Sequence, residues 1–388
     1  MSNPLKELIQ SLLPYYQNIR QQIHANPELR YEEKQTAKLI VQELEKMGLP
    51  VKTGIGKTGV VALLDSGKPG KTIALRADMD ALPIVEENAH LGYQSKNNGV
   101  MHACGHDGHV ATLLAVANVL CQMKTQLSGK IKFIFQPAEE GGAGAKAMID
   151  DGVLENPHVD VIFGYHNYPG EPVGKVMAKM GCTMYGNTEF AFVVHGKSGH
   201  AAMPELANNP MMACGDIIES VRQVMAEQAK DPEPSVITIT QIHSGNTINV
   251  IPETARVSGT IRASAKHKFA QIRQSLSEAL HAIEKKHQVK IEIDFQEFYP
   301  PTINTDREVE FVLAQAQQLL GKEHVKIKPA SARASEDFSY FLEKVPGCYF
   351  FIGNGENSSS CHNASYNFND DALLNAISMM SAVAINYS

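Results

Sequence analysis

Between residues 51 and 166 short apolar runs alternate with helical patterns, and this alternation constrains the fold more than any other feature of the chain. Residues 51–64 read as two short strands around a glycine-bearing turn, 72–76 as a strand, 99–123 as a polar stretch entering an apolar helix, 130–135 as a strand, 143–151 as a helix and 159–165 as a strand. Strands separated by helices predict an α/β fold, a mostly parallel sheet covered by helices on both faces. Ahead of it, residues 5–25 carry helical spacing interrupted at Pro14, and 33–47 form an amphipathic pattern that stops at Gly48. Asp78, Asp80, Glu139, Glu140 and His166 all fall just past predicted strand ends, the edge where ligand sites assemble in open α/β sheets.

The pattern then changes. Strand 189–195, helix 210–229, strands 235–243 and 254–263, helix 266–286 and strand 289–295 follow in the order βαββαβ, the split βαβ signature of a ferredoxin-like α+β domain. Past residues 299–301 the first pattern resumes, with helix 307–320, strand 348–352 and helix 370–386. The expected organisation is a larger domain of residues 1–182 and 298–388 with a smaller one, 183–297, inserted into it. A chain of 388 residues is long enough for two cores.

A net charge of −7 with no concentrated basic run offers no footprint for nucleic acid or an anionic membrane surface. No run of ~18 apolar residues and no signal-like N-terminal pattern occur, so a cytoplasmic location is expected. The six cysteines lack CxxC spacing and read as reduced thiols, with Cys121, Cys182, Cys214 and Cys348 in packing positions.

Residues 99–109 hold three histidines, a thiol and a carboxylate. Cys104 and His106 stand at i and i+2, so on a locally extended segment their side chains leave on the same side. With Glu140, His166 and His362 they make one thiolate, three imidazoles and a carboxylate, more than one closed tetrahedral zinc requires. Such a set suits two divalent cations sharing a bridging ligand, and mixed N, O and S donors point to zinc, manganese or cobalt. Glu139 and Glu140, adjacent at a strand end, are expected to point to opposite sides, one ligating and the other serving as general base. That is the machinery of metal-assisted hydrolysis. Asp80 reads as an orienting partner of a ligand. His102 and His109 read as supporting residues, and His24, His195 and His243 as locally hydrogen-bonded ones. The glycines of 141–146 lack phosphate-loop spacing and read as a tight backbone turn beside the site.

With these residues in view, the chain resembles the dinuclear metal aminoacylase and carboxypeptidase superfamily, of the M20 peptidase type. The likeness is strongest to its N-acyl-amino-acid amidohydrolases, hippurate hydrolases and plant auxin-conjugate hydrolases. The motifs span nearly the whole sequence: RQQIHANPE at 20–28, LRADMDALP at 75–83, HACGHDGH at 102–109, QPAEE at 136–140, GYH at 164–166 and GKSGHAA at 196–202, then NVIP at 249–252, GTIR at 259–262, EDFS at 336–339 and HNASYNFND at 362–370. The resemblance implies Cys104, His106, Glu140, His166 and His362 as ligands of two metal ions, Cys104 as their bridge and Glu139 as the base. It also implies His200 as stabiliser of the oxyanion, reaching into the partner subunit's site, and Asn249 and Arg262 as holders of the substrate carboxylate. The inserted domain would then be a lid and dimerisation domain, giving a homodimer or a tetramer whose hinge motion closes the site.

The implied reaction is hydrolysis of a small N-acetyl- or N-benzoyl-L-amino acid to a carboxylate and a free amino acid. Dipeptidase or carboxypeptidase action and N-acetyldiaminopimelate deacetylation are the enzymatic alternatives. A metal-binding sensor is the non-enzymatic one, against which Glu139 speaks, because a sensor needs ligands but no base. The chain departs from the family pattern at 204–210, where the usual Pro-His-x-Gly-x-Asp-Pro reads PELANNP, at Tyr165 in place of Leu, and at Cys361 and Asn367 in place of Leu and Asp.

Overall fold

Helix α1 runs from Asn3 to Ala25 without a break, so the interruption expected at Pro14 does not occur. Pro14 lies on the exposed side of the helix, where the carbonyl it leaves without a donor can turn to water. The structure, a computed structural model, describes residues 3–387; residues 1, 2 and 388, which fall in the expected larger domain, lie outside the described residues. It divides into a larger unit, Met1–Thr183, Ile303–Pro329 and Asp337–Ser388, and a smaller one, Met184–Thr302 and Ala330–Glu336. The segment Ala330–Glu336, expected in the larger domain, groups with the smaller one. Among the bonds that tie it there, the Tyr185 N–H donates to the Ala332 carbonyl at 2.8 Å, the Arg262 guanidinium to Ser335 Oγ at 2.6 Å, and the Ser331 hydroxyl to Glu233 at 2.7 Å.

In the larger unit α2 (Lys34–Lys46) precedes a hairpin of β1 (Val51–Ile55) and β2 (Gly59–Asp65), followed by β3 (Thr72–Asp78). Helix α3 (His106–Gln122), β4 (Lys130–Gln136), α4 (Gly144–Asp150), β5 (Val161–Pro169), β6 (Val176–Ala178) and β7 (Gly181–Met184) come next. In the smaller unit β8 (Gly186–His195), β9 (Gly199–His200), α5 (Pro210–Gln228), β10 (Val236–Ser244), β11 (Val250–Ile251), β12 (Thr254–Ala263), α6 (Lys266–His287) and β13 (Lys290–Glu297) follow in turn. The chain closes with β14 (Thr302–Asn304), α7 (Asp306–Leu320), β15 (Val325–Ile327), α8 (Ser339–Leu342), β16 (Gly347–Gly355) and α9 (Leu373–Asn386).

The eight-stranded sheet of the larger unit has the order β1-β2-β4-β3-β5-β16-β6-β15, and its central strands β4, β3, β5 and β16 are parallel. This is the expected α/β architecture. Phe133, Phe135, Phe163, Tyr165 and Phe350 face α3 and α9, while Tyr349 and Phe351 on the other face meet Phe338 or one another. Helix α3 is apolar on nearly every side because α1 and α9 pack on it as well as the sheet. Leu113, Leu114, Val116, Val119 and Leu120 are fully buried, each stabilising by about 1.5–3 kcal/mol, which anchors the helix whose first turn carries the site. In the smaller unit four antiparallel strands in the order β10-β12-β8-β13 carry α5 and α6, so the strand-helix sequence along the chain is βαββαβ.

Candidate metal centre and active site

The structure gathers the five predicted donors at the C-terminal edge of the parallel strands. Cys104, His106 and His166 form one trio whose ligand atoms lie within 4.8 Å of one another, and Cys104, Glu140 and His362 form a second within the same limit. Cys104 is common to both, which is what a bridging thiolate between two cations requires.

Local structure differs from the sequence expectation at three points, without scattering the donors. Cys104 and His106 are not on an extended segment. Gly105 takes φ 94°, and His106 is the first residue of α3. A Cβ at Gly105 would stand 2.3 Å from Asn167 Nδ2, so this turn needs glycine for both conformation and space. Nor do Glu139 and Glu140 diverge. They lie in a turn beyond β4, after Ala138 at φ 54°, and their carboxylates come within 4.8 Å of each other and of a His106 nitrogen. His166 falls inside β5 rather than past its end, because pairing with β16 carries the strand on to Pro169.

Hydrogen bonds decide which histidine nitrogens can ligate. His106 Nδ1 lies 2.9 Å from the Asp80 backbone carbonyl and His166 Nδ1 2.6 Å from that of Asn167. A carbonyl only accepts, so both Nδ1 atoms carry a proton and each Nε2 is the nitrogen left to ligate. His166 Nε2 sits 3.3 Å from Cys104 Sγ, and His106 Nε2 is buried with no hydrogen-bond partner among the described residues. His362 Nε2 lies 3.1 Å from Glu140 Oε1, a buried oxygen that likewise has no aligned donor. These N, S and O donors, with His106 Nε2 and Glu140 Oε1 lacking hydrogen-bond partners, fit a pair of divalent cations.

Charge tells the same story. Burial pulls the His106 pKa down, but Asp78, Asp80 and Glu140 overcome it and raise it to about 10, so His106 Nε2 holds a proton that a cation would have to displace. Burial, helped by the neighbouring His109, pushes His166 down to about 3 and so keeps it neutral, as a ligand must be. The Cys104 thiol is pushed well up by its contact with Cys361, by burial and by the two glutamates. The pocket thus collects negative charge that a cation would neutralise.

Asp80 contacts two of the candidate ligands. Its backbone oxygen orients His106, and its Oδ2 accepts the Glu140 N–H at 2.9 Å. His109 donates from Nδ1 to Asp78 at 2.6 Å and accepts at Nε2 from the Asn167 backbone N–H at 3.2 Å, so both nitrogens are used and it supports rather than ligates. His24 lies between Asp107 and Glu86, at 2.9 and 3.1 Å; burial opposes its charge, but the two carboxylates raise its pKa to about 9. Arg20 joins Asp107 at 3.2 Å, so α1 grips the turn next to His106 through buried charges. His102 is buried with neither ring nitrogen hydrogen-bonded among the described residues, and burial lowers its pKa to about 4.

Sequence reasoning missed the clamp on the Glu139–Glu140 turn. Glu33, fully buried, accepts the Ala138 N–H at 2.9 Å; Arg30 donates to the Glu140 carbonyl at 2.7 Å and Tyr31 to that of Gly142 at 2.6 Å. The LRYEE run at 29–33, just past the first matching motif, is the signal that carried it.

In the smaller unit His200 and Asn249 come together. β9 pairs with β11, His200 opposite Val250, and the Ala201 N–H donates to the Asn249 carbonyl at 3.1 Å. Arg262 lies apart from them on β12; burial lowers the pKa of its guanidinium.

A mostly parallel sheet with a two-trio donor cluster at its edge defines a metallohydrolase. The chain belongs to peptidase family M20/M25/M40, whose family profile matches residues 74–386. It is 37% identical to a hippurate hydrolase of Campylobacter jejuni over 96% of both chains, and 38% identical to thermostable carboxypeptidase 2 of Saccharolobus solfataricus over 99% of this chain and 98% of that one. Among solved structures it is similar to the YXEP protein of Bacillus subtilis, a dinuclear metal binding peptidase of the M20 family. That likeness has TM-score 0.86 and 30% identity, covering 97% of this chain and 98% of that one. No helix among the described residues is long and apolar enough to cross a membrane.

Proposed function

We propose that the protein hydrolyses the amide bond of small N-acyl-L-amino acids, of the N-acetyl or N-benzoyl type, releasing a carboxylate and the free amino acid. The observation that carries this reading is the pair of donor trios sharing Cys104, with the Glu139 carboxylate beside them. Cys104, His106 and His166 would hold one divalent cation, and Cys104, Glu140 and His362 the other. Zinc, manganese and cobalt all suit the donors. When bound, these ions supply polarisation of the scissile carbonyl and a more acidic water. Glu139 takes the proton of the attacking water at a carboxylate oxygen and delivers it to the departing nitrogen. Asp80 keeps His106 and the Glu140 backbone in place while this happens. His200 of the partner subunit donates to the oxyanion, and Asn249 of the partner subunit together with Arg262 binds the substrate carboxylate, a task that suits a planar guanidinium.

The hippurate hydrolase relative supports the N-acyl substrate; the carboxypeptidase relative supports a second reading, exopeptidase action by the same groups. Protein loaded separately with zinc, manganese and cobalt should release free amino acid from N-acetyl- and N-benzoyl-amino acids faster than from dipeptides. Release from dipeptides alone would favour the second reading, and no release from either set rules out both.

The smaller unit serves as lid and dimerisation domain, and the enzyme works as a homodimer in the cytoplasm, where thiols such as Cys104 stay reduced. Support for a partner surface comes from α5, whose exposed Met211, Ile218 and Met225 recur at seven-residue spacing, and from Ile242 on the edge strand β10. Sedimentation should show a dimer for the native chain and a monomer for the double variant Ile218→Glu, Met225→Glu; a native monomer would refute the assignment.

A further inference from the structure

Cys361 stands where the resembling family usually carries leucine, and the proposed reaction gives it no task. Its Sγ lies 3.9 Å from the Cys104 carbonyl oxygen, and the two thiols shift each other's acidity, Cys104 upward and Cys361 downward. The approach is fixed by backbone: the His362 N–H donates to the Ala103 carbonyl at 2.7 Å, holding the residue after Cys361 against the residue before Cys104. Each sulfur is one rotatable bond from that backbone, so the contact does not depend on a long side chain wandering. A disulfide requires closely spaced backbones, and the bond between His362 and Ala103 brings those of the two cysteines together. Cys104 is 8% exposed, whereas Cys361 is only partly buried, beside a half-exposed His362. Cys121, Cys214 and Cys348 are held separately in α3, α5 and β16.

We propose that Cys104 and Cys361 form an oxidative modification site whose reactant is a peroxide. The more accessible Cys361 sulfur attacks one peroxide oxygen, breaking the O–O bond, and becomes a sulfenic acid with release of one water. Cys104 sulfur then attacks Cys361 sulfur; the S–O bond breaks, the S–S bond forms, and the hydroxide leaves as a second water with the Cys104 proton, or with a solvent proton where Cys104 starts as a metal-bound thiolate. Both sulfurs are oxidised by one electron each and the peroxide is reduced by two. The cross-link rests on the backbone approach and the Cys361 Sγ position. Its consequence rests on the ligand role proposed above for Cys104: as a disulfide sulfur it no longer serves either trio, and the metal centre is dismantled until a thiol reductant restores it.

The test treats metal-loaded full-length protein with hydrogen peroxide, blocks remaining thiols and digests it without reductant. A peptide pair joined through Cys104 and Cys361, a loss of two hydrogens per chain and release of metal to a chromogenic chelator are expected, all reversed by dithiothreitol and added metal. Cys361→Ser should keep its turnover in the absence of peroxide and form no cross-link. Its metal loss under peroxide should then be irreversible, since unprotected Cys104 proceeds to the sulfinic acid. Recovery of Cys104 and Cys361 on separate peptides after treatment, as thiols or as sulfinic acids, overturns the proposal. A cross-linked chain that retains its metal upholds the modification site and refutes the ligand role of Cys104.

Discussion

Glu139→Gln is expected to lower turnover of N-acyl substrates by about 10²–10⁴-fold while leaving the metal content unchanged. The amide has the carboxylate's shape but cannot take a proton from water. Cys104→Ala should behave in the opposite way, lowering metal content first and activity as a consequence, because it removes the donor common to both trios. The two variants together separate base from ligand. Metal analysis beside steady-state rates checks them: metal loss in Glu139→Gln would make Glu139 a ligand, and undiminished turnover would place the base elsewhere. Full metal content in Cys104→Ala would end the bridging assignment.

The second large effect falls on stability. Asp337→Ala should destabilise the larger unit by about 3–5 kcal/mol, the usual cost of breaking a buried charge network. Its carboxylate, fully buried, accepts from Arg76 at 3.0 Å, from Gln136 at 2.8 and 2.9 Å, and from the Ala145 N–H in the first turn of α4 at 2.9 Å. Arg76 on β3 and Gln136 on β4 are themselves buried, and truncation leaves those donors with neither water nor an anion. Arg76 retains Asp78, which moderates the loss. A lowered midpoint of chemical denaturation is the readout, and Asp337→Asn, which keeps acceptor capacity, should recover part of it. An unshifted midpoint would mean that the network adds nothing net.

What was legible in the chain, and what was not, follows from how local each signal is. Apolar runs and breakers marked the parallel core of β3, β4, β5 and β16, because their patterning depends on burial that every residue of the run experiences. Three-residue strands such as β6, β14 and β15 have too few positions to show a period, and tertiary pairing alone makes them strands. The candidate metal donors were readable because thiolate, imidazole and carboxylate chemistry belongs to residue type. Their approach routes were not. A periodicity rule gave Cys104 and His106 an extended backbone, whereas Gly105 supplies a left-handed turn. The same rule sent Glu139 and Glu140 apart, whereas the turn beyond β4 folds both toward His106. The grip of Arg30, Tyr31 and Glu33 on that turn runs largely through backbone atoms of a distant segment, which no local pattern encodes.

One consequence of the sheet order concerns the order of synthesis. β16 lies between β5 and β6, and the residues of the smaller unit's strands and helices separate it from both along the chain. During translation β5, with Val161, Phe163 and Tyr165, is therefore made long before its central neighbour, leaving an apolar strand edge unprotected while the intervening segment emerges. The contiguous stretch Met184–Thr302 can settle in that interval, whereas the larger unit must hold its sheet open for a late strand. His362 follows β16, so the nascent chain acquires its last proposed metal donor only after the gap in the sheet is filled. A ribosome-bound chain lacking that strand would need protection from its neighbours more than it would need metal.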